Sequence, residues 1–250
     1  MATAGWVRVL KAAKNAYKAV DKTNDLRGRI QGADKLTRSV DPKNSEKAIR
    51  EIMGIESPLA DAIDALSEAR DDLTQVRNSK VEWSECDGGD LFMAGAAAAD
   101  KHGKDSKQAK AAWAAYAKHL QRFHDEIAEE VDALEQMQAM LPARKKAVGQ
   151  VIKIAESLDK GFQMLLKLPV PLPSAAQAQI FTLSEDAGLL LAQAGNVETL
   201  LREIEKRVEA EIKEGEAIMT ANLKWLAWAA KASGLDLQAI QRNARAKLPR

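Results

Sequence analysis

Side chains that could carry chemistry are few in this sequence. It holds one cysteine, Cys86, and three histidines, His102, His119 and His124. His119 and His124 stand five residues apart, which sets them on different faces of one helix. No Glu-x-x-His pair occurs, so the ligand spacing of a carboxylate di-iron bundle is missing. Cys86 lies between Glu85 and Asp87; flanking acids disfavour a thiolate and hence a nucleophile. Asp87 and Asp90 bracket a Gly-Gly turn, without the ligand spacing of an EF-hand. There is no phosphate-binding glycine loop, dinucleotide fingerprint, nucleophile elbow or zinc-protease motif. The expectation is therefore a non-enzymatic protein with no catalytic residues, no metal and no cofactor.

The rest of the composition speaks of helix packing. The chain has 250 residues, 46% hydrophobic, 29% charged and only 4% aromatic. Alanine is the commonest residue, 45 in all, and alanine is the strongest helix former. One cysteine excludes an internal disulfide framework. The net charge of +1 argues against a nucleic-acid binder. It hides an asymmetry, however: residues 1–50 carry +7 and residues 51–100 carry −9. Neutralisation of one segment by the other is the simplest expectation, and a basic arm for an anionic surface is the sharper one. No apolar run is long enough for a transmembrane helix, and the first residues do not read as a signal peptide. The expected location is the cytoplasm, or outside the cell by a leaderless route.

These features predict an all-α chain. Residues 4–20 read as an amphipathic helix with Trp6, Ala13, Tyr17 and Val20 on one side. Asp41-Pro42 signals a short helix to about Met53, and Ser57-Pro58 a second, with Ser57 as its cap, to about Ser79. An Ala-rich helix follows over 91–100. Then comes the strongest pattern. Positions seven apart read Trp113, Leu120, Ile127, Leu134, Leu141, Val148, Ala155 and Phe162; a companion row is broken only by Glu130 and Arg144. Because this phase runs through Pro142 unshifted, one kinked helix from about Ser106 to Leu168 is expected, with a turn near Met140–Ala143 as the alternative. Leu168-Pro169-Val170-Pro171-Leu172-Pro173 cannot be helical. A second long pattern over 174–233 carries Leu183, Leu190, Val197, Ile204, Glu211, Ile218 and Trp225 at seven-residue steps.

The expected architecture is an elongated helical bundle on a long antiparallel, coiled-coil-like hairpin. Its parts are shorter N-terminal helices over 1–104, the hairpin over 105–234 with a Pro-rich tip at 168–173, and a short helix with a basic tail over 235–250. Leu120, Ile127, Leu134, Leu141, Leu190, Val197 and Ile204 are the expected helix seam. Leu165, Leu166, Leu168, Val170, Leu172 and Phe181 form the expected membrane or partner tip. The layout is similar to that of α-helical pore-forming toxins, in which a long helix, an apolar head and a returning helix follow one another; the resemblance is of architecture, and no motif carries it. The expected function is protein interaction or assembly through a coiled-coil rod, with a protein partner or a homo-oligomer. The toxin resemblance implies instead a membrane-acting subunit that inserts its tip.

Overall fold

The computed structural model describes residues 8, 11, 12, 14–20, 23, 28, 29, 32, 47, 50, 51, 54–79, 88–167 and 174–236. Among the described residues the regular structure is all helical. Residues 14–20 are helical, and four further helices follow: α1 (Glu56–Asn78), α2 (Gly89–His102), α3 (Lys107–Leu166) and α4 (Ser174–Ser233). The sites of the expected helices at 42–53 and 236–246 lie almost wholly outside the described residues, as do Trp6, Cys86 and Asp87.

Each helix forms for a local reason. In α1, Leu59, Ala62, Leu66, Ala69, Leu73 and Val76 recur at three- and four-residue steps and are all buried. Ser57 does not cap this helix. The cap position is Ile55, a fully buried side chain that makes no capping bond, so the helix starts two residues earlier than the Ser57 signal. At α3 the cap is conventional: the Ser106 Oγ accepts a bond from the Ala109 N–H at 3.1 Å. The helix then continues unbroken through Pro142, an exposed residue flanked by buried Leu141. A proline ring on the solvent side forfeits one backbone bond without disturbing the packed side. α4 ends in a Schellman turn. The Leu235 N–H reaches the Ala230 carbonyl at 3.0 Å, the Gly234 N–H reaches that of Lys231 at 3.3 Å, and Gly234 takes a left-handed φ of 75°.

The helices gather into two compact units. Unit 1 includes residues 81–138 and 206–250; unit 2 includes residues 4–80 and 139–205. Each contains one part of α3 and one part of α4, packed together.

In unit 2, the ion pair of Lys145 with Glu205 and the chain from Gln163 through Ser184 to Asp159 link α3 to α4. Partners that descend along α3 as they ascend along α4 make the pair antiparallel. α1 lies parallel to α4. Glu56 meets Gln179, Arg70 meets Gln193 at 3.1 Å and Arg77 meets Glu203 at 3.7 Å, a nearly constant offset in sequence. The N-terminal segment joins through Lys11, which sits 2.6 Å from Glu68 and 3.8 Å from Asp72. Here the basic first segment does meet the acidic second one. Its buried face is Ala12, Asn15, Ala16, Ala19 and Val20, whereas Tyr17 is exposed. Small alanines allow close helix contact, and Tyr17 instead lies beneath the Arg144 guanidinium, 4.9 Å from the ring centre.

In unit 1, α2 packs on the facing parts of α3 and α4. Its Gly95 meets the Trp113 indole so closely that a Cβ there would overlap the ring. Asn222, buried on α4, donates to the Leu120 carbonyl of α3 at 2.8 Å.

Candidate interaction surfaces

The seam residues sit inside the chain. Leu120, Ile127, Leu134, Leu141, Leu190, Val197 and Ile204 are all buried. The row from Trp113 to Phe162 is buried throughout. Of the two polar interruptions in the companion row, Glu130 is half-buried beside fully buried Val131, and Arg144 is half-buried over Tyr17. On α4 the row of seven-residue steps is buried only as far as Ile204. Glu211 and Ile218 are half-buried, and Trp225 is exposed. The buried positions there run Ile204, Val208, Ile212, Gly215, Met219, Asn222 and Leu226, with two successive four-residue steps where a strict heptad has one. That eleven-residue advance turns the sequence row away from the core.

Titratable groups in unit 1 are tuned by this packing. Burial raises the Glu130 carboxyl above its ordinary value, and the Glu126 carboxylate one turn away adds to the rise. Glu135 is raised by burial, by Asp132 one turn earlier on α3 and by Glu216 of α4. His124 is fully buried and His119 half-buried. Among the described residues no three His, Cys, Asp or Glu side chains gather to hold a metal ion. No described helix is long and apolar enough to cross a membrane.

Among the described residues, two groups of exposed apolar side chains stand out. The first is in unit 2, beside residues 168–173. Of the tip residues, Leu165 is buried, Leu166 is half-buried and Phe181 is 56% exposed; Leu168, Val170 and Leu172 lie outside the described residues. Met164 and Leu189 are also exposed. Ser174–Val197 contains only two charged residues, Glu185 and Asp186. Its exposed residues include Ala178, Phe181, Gly188, Leu189 and Ala192, with Glu185 between Phe181 and Leu189 and polar Gln177, Thr182 and Asn196 beside them. An open groove of about 320 Å³ adjoins it, lined by Glu56, Ala175, Ala178, Gln179, Thr182, Leu183 and Asp186.

The second group is in unit 1. Phe92 of α2 stands among four rings, with centroids 5.5 Å from Trp113, 5.8 Å from Tyr116, 6.2 Å from Trp225 and 5.9 Å from Trp228. Trp228 meets Trp113 edge-on at 4.8 Å. Trp113 and Tyr116 are core residues. Yet Trp225 remains 52% exposed and Trp228 43%, and Met93, next to Phe92 in the chain, 65%. The seven-residue rows include Trp113, Tyr116 and Trp225, and the spacing of Trp225-Leu226-Ala227-Trp228 from the tip sets that cluster beside Trp113. Their gathering around Phe92 is not legible in the sequence, because α2 joins them from a separate helix. Comparison with protein-family models, with curated proteins and with solved structures finds no match to this chain.

Proposed function

We propose that this chain is a non-enzymatic helical interaction and assembly protein. In this reading α3 and α4 form an antiparallel, coiled-coil-like hairpin whose seam is satisfied within the chain, and the outward face of α4 in unit 2 receives a further helix, from a partner protein or a second copy. The observation that carries it is that face: exposed Phe181 and Leu189 set among small Ala178, Gly188 and Ala192, with Glu185 between them and no charge but Glu185 and Asp186 over 24 residues. Bulky side chains beside small ones make the ridges and grooves that a helix packs into, and an exposed apolar stripe of this kind marks an interaction surface. Phe181→Asp with Leu189→Asp is the test. The wild-type chain should show a mass above the monomer by light scattering, or retain a defined protein from host extract; the variant should lose this while its helicity is unchanged. A wild-type chain that is monomeric and retains nothing refutes the reading.

Exposed Met164 and Phe181, on either side of residues 168–173, favour a second reading, in which the same end enters a membrane as in the toxins the layout resembles. Leu166→Asp with Val170→Asp should then abolish liposome leakage. Absence of leakage with the wild-type chain overturns this reading.

A further inference from the structure

We propose that the aromatic end of unit 1 is a docking site for an anionic lipid surface, distinct from the α4 face assigned to assembly. Three observations meet there. The first is the kind of side chain exposed. Trp225 and Trp228 lie three residues apart on α4 and leave about half their surface in solvent, and Met93, which follows Phe92 on α2, is exposed as well. Tryptophan, with an apolar body and one polar N–H, is the residue that settles at the boundary between headgroups and acyl chains.

The second is support. Trp228 rests edge-on against buried Trp113, and Phe92 touches both exposed indoles. The rings are held by the core, so little conformational entropy is lost when they bury against another surface.

The third is charge. Lys224 precedes Trp228 by one turn of α4 and Lys231 follows it by one turn, which places all three on one side of the helix. Lys107 and Lys110, both exposed, lie within two turns of Trp113 on α3, and exposed Lys101 and Lys104 lie at and just beyond the end of α2. Against these six lysines, residues 89–110 and 224–236 hold four acids, Asp90, Asp100, Asp105 and Asp236. A cationic rim around half-exposed indoles complements anionic headgroups. A protein hot spot would draw on the same tryptophans but has no need of a lysine rim.

The experiment is vesicle flotation of the full chain. One set of vesicles is equal parts phosphatidylglycerol and phosphatidylcholine; the other is phosphatidylcholine alone. The wild-type chain should float with the anionic vesicles, more weakly as salt rises, and poorly with the zwitterionic ones. Trp225→Ala with Met93→Ala, which spares the packed Trp228, should weaken binding about tenfold or more. Lys101→Gln and Lys104→Gln should each weaken it about fivefold on anionic vesicles. Circular dichroism checks that each variant keeps its helicity. Phe181→Asp with Leu189→Asp should float as the wild type does, so failure of the assembly reading and failure of this one are told apart. No flotation of the wild-type chain overturns the proposal. So does a wild-type dimer that Trp225→Ala dissociates in the absence of lipid, since the surface then belongs to a second copy.

Discussion

Gly95→Ala tests the packing of unit 1 through a competition of two known effects. In a helix interior, exchanging glycine for alanine stabilises by about 0.5–1 kcal/mol, because the unfolded chain has less freedom to lose. At Gly95 the new Cβ would fall 2.5 Å from Cζ3 and 2.7 Å from Cδ2 of the Trp113 indole, and nearer still to Cε3. Trp113 is itself wedged by Phe92, Tyr116 and Trp228. It cannot swing aside without moving three rings. Overpacking of this kind costs about 1–3 kcal/mol. The overlap outweighs the propensity gain, and Gly95→Ala is expected to destabilise by about 1–2 kcal/mol. Gly149→Ala and Gly195→Ala are the controls. Both are helical, neither Cβ would meet an atom within 4 Å, and each should stabilise by about 0.5–1 kcal/mol. Urea denaturation followed by circular dichroism measures all three, and near-ultraviolet circular dichroism reports the rings directly. Replacing Trp113 by leucine should relieve the clash, so that Gly95→Ala costs less in that background. A Gly95→Ala chain as stable as the wild type, with an unchanged aromatic signal, would refute the close approach of α2 to α3.

Three further outcomes are expected. Ile212→Ala should cost about 2–3 kcal/mol, as removal of a buried side chain does, whereas Glu211→Ala, half-buried beside Arg207, should cost less than about 1 kcal/mol; equal costs would contradict the eleven-residue advance of α4. Glu130→Gln should raise stability at neutral pH. The folded carboxyl is raised above its unfolded value by burial, so its favourable contribution is present below the ordinary carboxylate value and lost as pH rises through the folded one. The substitution should flatten the stability profile over that window, and an unchanged profile would show that Glu130 is solvated. A double-mutant cycle on Lys145 and Glu205, whose side chains keep 28% and 32% of their exposure, should give a coupling of about 0.5–1 kcal/mol that falls with added salt. A coupling indistinguishable from zero at low salt would remove that link between α3 and α4.

Much of α3 was legible because its buried rows repeat every seven residues with few interruptions. The two interruptions show how the pattern is accommodated. At Glu130 the adjacent Val131 takes the fully buried place, and at Arg144 the aliphatic stem lets the guanidinium reach the Tyr17 ring. Less could be read where small residues make the contact. The N-terminal segment buries alanines and exposes its tyrosine, because alanine contributes proximity where a hydropathy pattern looks for bulk. Ser57 carries the sequence signal of a cap, yet the cap position is the fully buried Ile55, two residues earlier. The gathering of Phe92 with the tryptophans depends on where α2 docks, which no local period encodes.

The departure on α4 is the one with consequences. A straight helix drifts about 20° per heptad against a strict seven-residue repeat. Over the three heptads from Ile204 to Trp225 this amounts to about 60°, enough to carry a seam position to the rim. Wherever α3 and α4 supercoil, the drift is absorbed; where α4 takes its extra four-residue step at Ile212, it is not. Apolar residues therefore remain in the sequence row after the row has left the core, and Trp225 is the last of them. Had Trp225 been placed only to fill a seam, a smaller or polar residue would serve equally well once the row turned outward. An indole kept at half exposure, next to a second one braced against Trp113 and beside lysines one turn to either side of it, is better accounted for by a surface that it meets than by the core that it has left.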